Sequence, residues 1–166
     1  MNRLFVRGCP AWNAWVLLLG LTAAPTMAQP PSTLMETNKQ IVQQGFDRWA
    51  DGTGNFFDLL SGDVQWTITG TSPLSKTYAG KKQFLEEVIQ PLNARLSKKI
   101  VPKVQRLYAE GDWVAALWEG EATAKDGKPY NVTYCWHMQL RDGKIVRVIA
   151  FLDTMEFTDI FRRIPG

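Results

Sequence analysis

Asp153 closes the apolar run Ile149-Ala150-Phe151-Leu152. A carboxylate held among such side chains is stripped of water, and desolvation raises its pKa. A raised carboxyl pKa is what a general acid or base working near neutral pH requires. Tyr134 offers a hydroxyl that can donate to an oxygen gaining negative charge. Glu119 is the candidate to share a proton with Asp153 or to orient it. These three form the candidate catalytic set. Each also has a plainer reading: Asp153-Thr154 as the cap of a tail helix, Glu119 and Glu121 as solvated residues on the convex side of a sheet, Tyr134 as core. The remaining reactive types carry less. Cys135 lies in an apolar stretch and reads as a small buried hydrophobe. His137 is the only histidine, so a histidine metal cluster is excluded by count, and no carboxylate set has a metal-loop spacing. No G-x-S-x-G, P-loop, G-x-G-x-x-G or H-E-x-x-H is present.

Two hairpin signals decide which of these residues meet. Asp126-Gly127 and Asp142-Gly143 each have the composition of a two-residue turn, and a turn sets the register of the strands it joins. With two-residue turns, Trp136 lies opposite Ile149, Tyr134 opposite Phe151 and Val132 opposite Asp153. Across the other hairpin, Glu119 lies opposite Tyr134 and Leu117 opposite Trp136. One face then carries Glu119, Glu121, Tyr134, Trp136, Ile149, Phe151 and Asp153, and the other Trp118, Thr133, Cys135, His137, Val148, Ala150 and Leu152. A single bulge would exchange the two faces beyond it. The first face has the makeup of a small-molecule site, aromatic walls with a few convergent polar groups. Trp66, Trp136, Phe151 and Trp49 are the expected contacts to the body of the substrate.

The elements that must position these residues follow from periodicity. Leu34, Ile41, Val42, Phe46 and Trp49 recur near helical spacing, and Thr33 to Glu36 has capping-box spacing, which predicts an amphipathic helix over 33–51. Asp51-Gly52-Thr53-Gly54 stops it, and Asn55 can cap a short helix bearing Phe56 and Phe57. Val64, Trp66 and Ile68 alternate as a half-buried strand. A second helical pattern runs from Lys81 to Leu96, with Pro91 expected to kink it. Strands over 100–110, 113–124, 130–140 and 145–154 then form an antiparallel meander, and 157–164 a last helical turn. Helices followed by long strands make an α+β domain, a curved sheet wrapped on the N-terminal helices.

The chain has 166 residues, room for one ordinary domain, with 45% hydrophobic and 21% charged residues. Its formal charge is +3. Residues 1–28 hold Arg3 and Arg7 and no acid, leaving 17 basic and 16 acidic side chains in the remainder. So even a balance argues against a nucleic-acid partner. Arg3 and Arg7, the apolar run from Ala11 to Ala24, and Thr26-Met27-Ala28 follow the plan of a secretory signal peptide cut after Ala28. The expected layout is a signal at 1–28, a short leader at 29–32 and a single domain at 33–166, periplasmic or secreted and not held in a membrane after cleavage. Cys135 is then the one cysteine left, and no intramolecular disulfide forms.

From about Asn38 to Phe161 the chain resembles the SnoaL-like, ketosteroid isomerase-related branch of the nuclear transport factor 2-like superfamily. The resemblance rests on stretches in order: the opening helix with Phe46 and Trp49, Asp63-Val64-Gln65-Trp66, Gly70-Thr71-Ser72-Pro73-Leu74, Tyr78-Ala79-Gly80-Lys81, Pro91-Leu92, Glu110-Gly111-Asp112-Trp113-Val114-Ala115, Tyr130-Asn131, Asp142-Gly143-Lys144-Ile145 and Phe151-Leu152-Asp153-Thr154. It implies a cystatin-like cone with an internal pocket, usually in a homodimer. It also implies that Asp153 matches the acid/base position of the polyketide cyclases and epoxide hydrolases of this superfamily. The sequence departs from the ketosteroid-isomerase Tyr/Asp pair and from the epoxide-hydrolase Arg–Asp arrangement. Two expectations remain. One is acid/base isomerase, cyclase or hydrolase chemistry at Asp153 on a small apolar molecule, with no cofactor called for. The other is a non-catalytic ligand-binding or dimeric scaffold domain of the same shape.

Overall fold

The computed structural model describes residues 31–165. The expected export signal at 1–28 and the start of the leader lie outside them. Helix α1 (Pro31–Ala50) opens the fold. It begins at a proline, whose fixed φ and missing donor suit a first helical turn. Thr33 therefore lies inside the helix rather than capping it, and its carbonyl accepts from the Thr37 hydroxyl at 2.8 Å. Gly52 takes a left-handed conformation, with φ of 68°. Its amide donates to the Trp49 carbonyl and ends the helix where the sequence places the stop. Asn55 caps a single 3-10 turn (Phe56–Leu59), its Oδ1 accepting from the Phe57 amide at 3.0 Å. Strands β1 (Leu60–Ile68) and β2 (Thr77–Ala79) follow.

Helix α2 (Lys81–Phe84), a π turn (Leu85–Ile89) and α3 (Gln90–Asn93) run on without a break. The wide turn stands directly before Pro91. Proline removes one donor and its ring crowds the carbonyl four residues back, and widening that turn gives the ring room. The long strands β3 (Leu96–Glu110), β4 (Trp113–Ala124), β5 (Pro129–Arg141) and β6 (Lys144–Leu152) and helix α4 (Thr154–Arg163) complete the chain. The sheet order is β2-β1-β6-β5-β4-β3, and every pairing is antiparallel except β1 with β6. Among the described residues no helix is long and apolar enough to cross a membrane.

The register differs from the expected one at both hairpins. Asp142 and Gly143 both take positive φ, 50° and 73°. The two-residue turn therefore forms, and Leu140 pairs with Ile145. Val146 is then left unpaired as a bulge, and beyond it Trp136 faces Ala150 and Tyr134 faces Leu152. At the other hairpin the Ala124 amide donates to the Lys128 carbonyl and Gly127 sits at φ 83°. That is a three-residue loop, one longer than expected, because the left-handed glycine occupies the third loop position. Trp118 therefore faces Tyr134, and Ala116 faces Trp136. The pairing slips by one residue on both sides of β5. Because side chains alternate with period two, Trp118, Ala150 and Leu152 come to the inner face, and Glu119, Glu121, Ile149 and Phe151 go to the outer one.

On the inner face Tyr130, Val132, Tyr134, Trp136, Met138 and Leu140 are all buried along β5. Bulges in β3 and β6 bend the sheet around α1, whose Val42 and Phe46 are buried against it. Phe46 and Trp49 meet Trp118 at centroid distances of 5.5 and 5.4 Å. Trp66 stacks on Phe84 of α2 at 4.1 Å. Each large apolar side chain so buried contributes about 1.5–3 kcal/mol. Gly120 shows how tight this wall is. A Cβ there would lie 3.1 Å from Ile100, from Trp118 and from Tyr134.

Candidate functional site

Sheet and helices enclose a cavity of about 440 Å³. That is room for a small organic molecule of two or three fused rings, and it is a usual size for a ligand site. Its buried wall is aromatic. Trp66 comes from β1, Phe84 from α2, Trp118 from β4, Tyr134 and Trp136 from β5 and Phe157 from α4. Trp49 and Phe57 continue it toward the opening, where the exposed residues Gly52, Gly54, Asn55, Asn93 and Lys99 form the rim. Among the residues that line the cavity none is an acid or a histidine.

Tyr134 supplies the polar centre of the wall. Its hydroxyl lies 3.2 Å from that of Tyr130, with both residues buried. Burial pushes both phenols well above their ordinary pKa, so both keep their protons. Two hydroxyls that share one hydrogen bond retain one proton not used between them. Neither has a second partner among the described residues. With Tyr130 donating, the Tyr134 hydrogen is left for an acceptor inside the cavity. The Trp118 ring stacks flat on Tyr134 at 4.1 Å, and its indole N–H is buried without a partner.

The expected site residues thus divide. Tyr134, Trp66, Trp136 and Trp49 come together around the cavity. Asp153, Glu119 and Phe151 do not line it. Asp153 is exposed at the N-terminus of α4, where its Oδ1 accepts from the amides of Met155 at 2.9 Å and Glu156 at 3.3 Å. Two orphan amides of a helix end hold it there, in water, and its desolvation among apolar walls does not occur. Glu119 faces Thr133 and Lys103 on the outer face. Phe151 also points outward, 49% exposed, with its ring edge-on to His137 at 5.8 Å. His137 lies opposite the cavity, as expected. Cys135 is its neighbour, with Sγ 3.6 Å from Nε2, and burial raises the thiol pKa.

Trp118, Phe57, Phe84, Phe157 and Lys99 line the cavity without having been singled out as contacts. For Trp118 a signal exists. Gly120, two residues on, is the kind of mid-strand glycine that marks close approach, and the two glutamates beside it alternate with it. Polar-out, apolar-in alternation on β4 puts Glu119 and Glu121 in water and Trp118 inside. For Phe157 and Lys99 no local pattern points inward.

Comparison with known proteins agrees with this architecture. The SnoaL-like domain matches residues 42–148. Among solved structures, Bal32a from a soil-derived mobile gene cassette superposes with a TM-score of 0.65 at 15% identity, over 78% of this chain and 99% of that one. A nuclear transport factor 2-like protein from Burkholderia thailandensis gives 0.62 at 20% identity, over 74% and 95%. A Jannaschia sp. CCS1 protein named for the SnoaL-like polyketide cyclases gives 0.60 at 18%, over 83% and 100%. No curated protein matches the sequence.

Proposed function

Because the chain belongs to the SnoaL-like domain family, whose fold is a host to many chemistries and fixes none, we propose its function from its own cavity: it binds a flat, apolar small molecule and donates a hydrogen bond from Tyr134 to an oxygen of that ligand. The observation that carries this reading is the wall itself, four tryptophans and a protonated tyrosine with no carboxylate or imidazole among the lining residues. Stacking and apolar burial supply affinity, and the phenol supplies orientation. Proton abstraction needs a base within about 3 Å of the ligand, or one water away. The exposed capping position of Asp153 offers no such contact, so binding, the second of the two expectations, is the better supported. The sequence pattern of residues 1–28 supports placing this binding in the periplasm or outside the cell.

The test is a pair of probes that differ by one oxygen. 9-Fluorenone and fluorene have the same flat body, and quenching of the cavity tryptophans reports their binding. Tyr134→Phe should weaken fluorenone about 3- to 10-fold, the scale of one net hydrogen bond, and leave fluorene unchanged. Failure of both probes to bind overturns the reading, as does an equal response of the two to Tyr134→Phe.

A further inference from the structure

The described lining of the cavity holds no acid or imidazole, and its one charge is positive. The buried wall combines indole rings, whose N–H can only donate, with the Tyr134 hydroxyl. At the rim the Asn55 Oδ1 is occupied as the acceptor of the Phe57 amide, which leaves its NH2 group to donate. Among the described residues the only charged one lining the cavity is Lys99, and it makes no ion pair there. A cationic ligand would meet one positive charge and no compensating carboxylate. A ligand with an acceptor oxygen and a negative charge meets the Tyr134 hydroxyl in the wall, and Lys99 with the NH2 group of Asn55 at the rim.

Resting on the cavity reading above, we infer that the ligand is an organic carboxylate with a flat ring body, its rings among the tryptophans, an acceptor oxygen at Tyr134 and its carboxylate at the rim with Lys99 and Asn55. A charge at the rim keeps part of its hydration, so the pairing costs little desolvation, while the apolar body alone enters the wall. The Lys99 contact sets which ligands are accepted more than how tightly they are held, because a partly solvated ion pair is worth only about 0.2–1 kcal/mol.

The probes are the four ring-isomeric 9-fluorenone carboxylates and the matching carboxamides, titrated at low ionic strength. At least one carboxylate should bind more tightly than its carboxamide. Lys99→Gln should erase about 2- to 5-fold of affinity for that carboxylate and leave its carboxamide unchanged. Raising the salt should do the same to the parent protein. The neighbouring Lys98→Gln, outside the lining, should have no effect. Carboxylates and carboxamides that bind alike and ignore Lys99→Gln overturn this inference while the cavity reading stands. A loss of equal size in Lys98→Gln also overturns it, since the preference would then belong to the general field of the surface. If neither these compounds nor fluorenone itself binds, the cavity reading falls and this inference with it.

Discussion

Asp153 combines a conspicuous sequence setting with a modest local role. Its carboxylate holds two amides at the start of α4. Asp153→Ala should lower stability by about 1 kcal/mol through the lost cap, read by urea denaturation, whereas Asp153→Asn keeps a capping oxygen and should stay within a few tenths of that of the parent. Neither change should move the affinity for fluorenone, and a large loss of affinity in Asp153→Asn would return this residue to the site. Tyr134 is the contrary case. Its phenol is ordinary in sequence and becomes distinctive through burial and the 3.2 Å contact with Tyr130.

Strand β4 and helix α4 each impose a constraint larger than any one residue. On β4 the missing side chain of Gly120 lets Trp118 and Tyr134 lie flat on one another. Gly120→Ala should cost about 1–3 kcal/mol by overpacking and weaken both fluorenone and fluorene, since it displaces the stack and not the hydroxyl alone. Helix α4 brings Phe157 to the cavity and is tied to the β4–β5 loop by the ion pair of Arg163 with Asp126. The hydrogen bond from Arg163 holds the Asp126 carboxyl below its ordinary pKa. A group lowered in the folded state adds stability above its unfolded value of about 3.9, and that addition is lost as pH falls through the folded value. Asp126→Asn should therefore lower stability at pH 7 and flatten its decline at acid pH, seen as urea midpoints that converge with those of the parent as the pH drops.

At the scale of the whole molecule, the outer face of the sheet is a surface that the cavity does not use. The outer face carries Leu117 and Phe151, 36% and 49% exposed, with Cys135 and Ile149 between and beside them. Glu119, opposite Lys103, and Glu121 lie at the end of Asn131 and Thr133, Arg106 lies opposite Leu117, and Arg147 lies at the end of Gln139. A two-fold rotation can set Glu119 and Glu121 of one copy against Arg147 of the other around Leu117 and Phe151, which is the self-complementarity an isologous pair requires. We propose that two copies pair through this face. Sedimentation should find a dimer at micromolar concentration, Phe151→Glu should give a folded monomer, and Arg147→Glu should weaken the dimer in a way that Glu119→Arg restores. A parent protein that is monomeric at all concentrations would sink the proposal.

Most elements, their order and the α+β class are legible in the sequence, because periodicity and turn chemistry are local, although the helical pattern read to Leu96 ends at Asn93 and the strand read to Thr154 ends at Leu152. The alternation of Tyr130, Val132, Tyr134, Trp136 and Met138 already declares one buried face of β5, and the Asp142-Gly143 turn is legible from its two residues. Half of the aromatic wall, Trp49, Trp66, Tyr134 and Trp136, was legible for the same reason. The partners of that wall were decided only in three dimensions. One unpaired residue at Val146 and one extra residue in the Lys125-Asp126-Gly127 loop shift the pairing on either side of β5. Neither shift has a strong local signature, yet each exchanges every side chain beyond it between cavity and solvent. That is why Glu119 and Phe151 lie outside, why Trp118 lies inside, and why Lys99, on an irregular stretch of β3, reaches the rim.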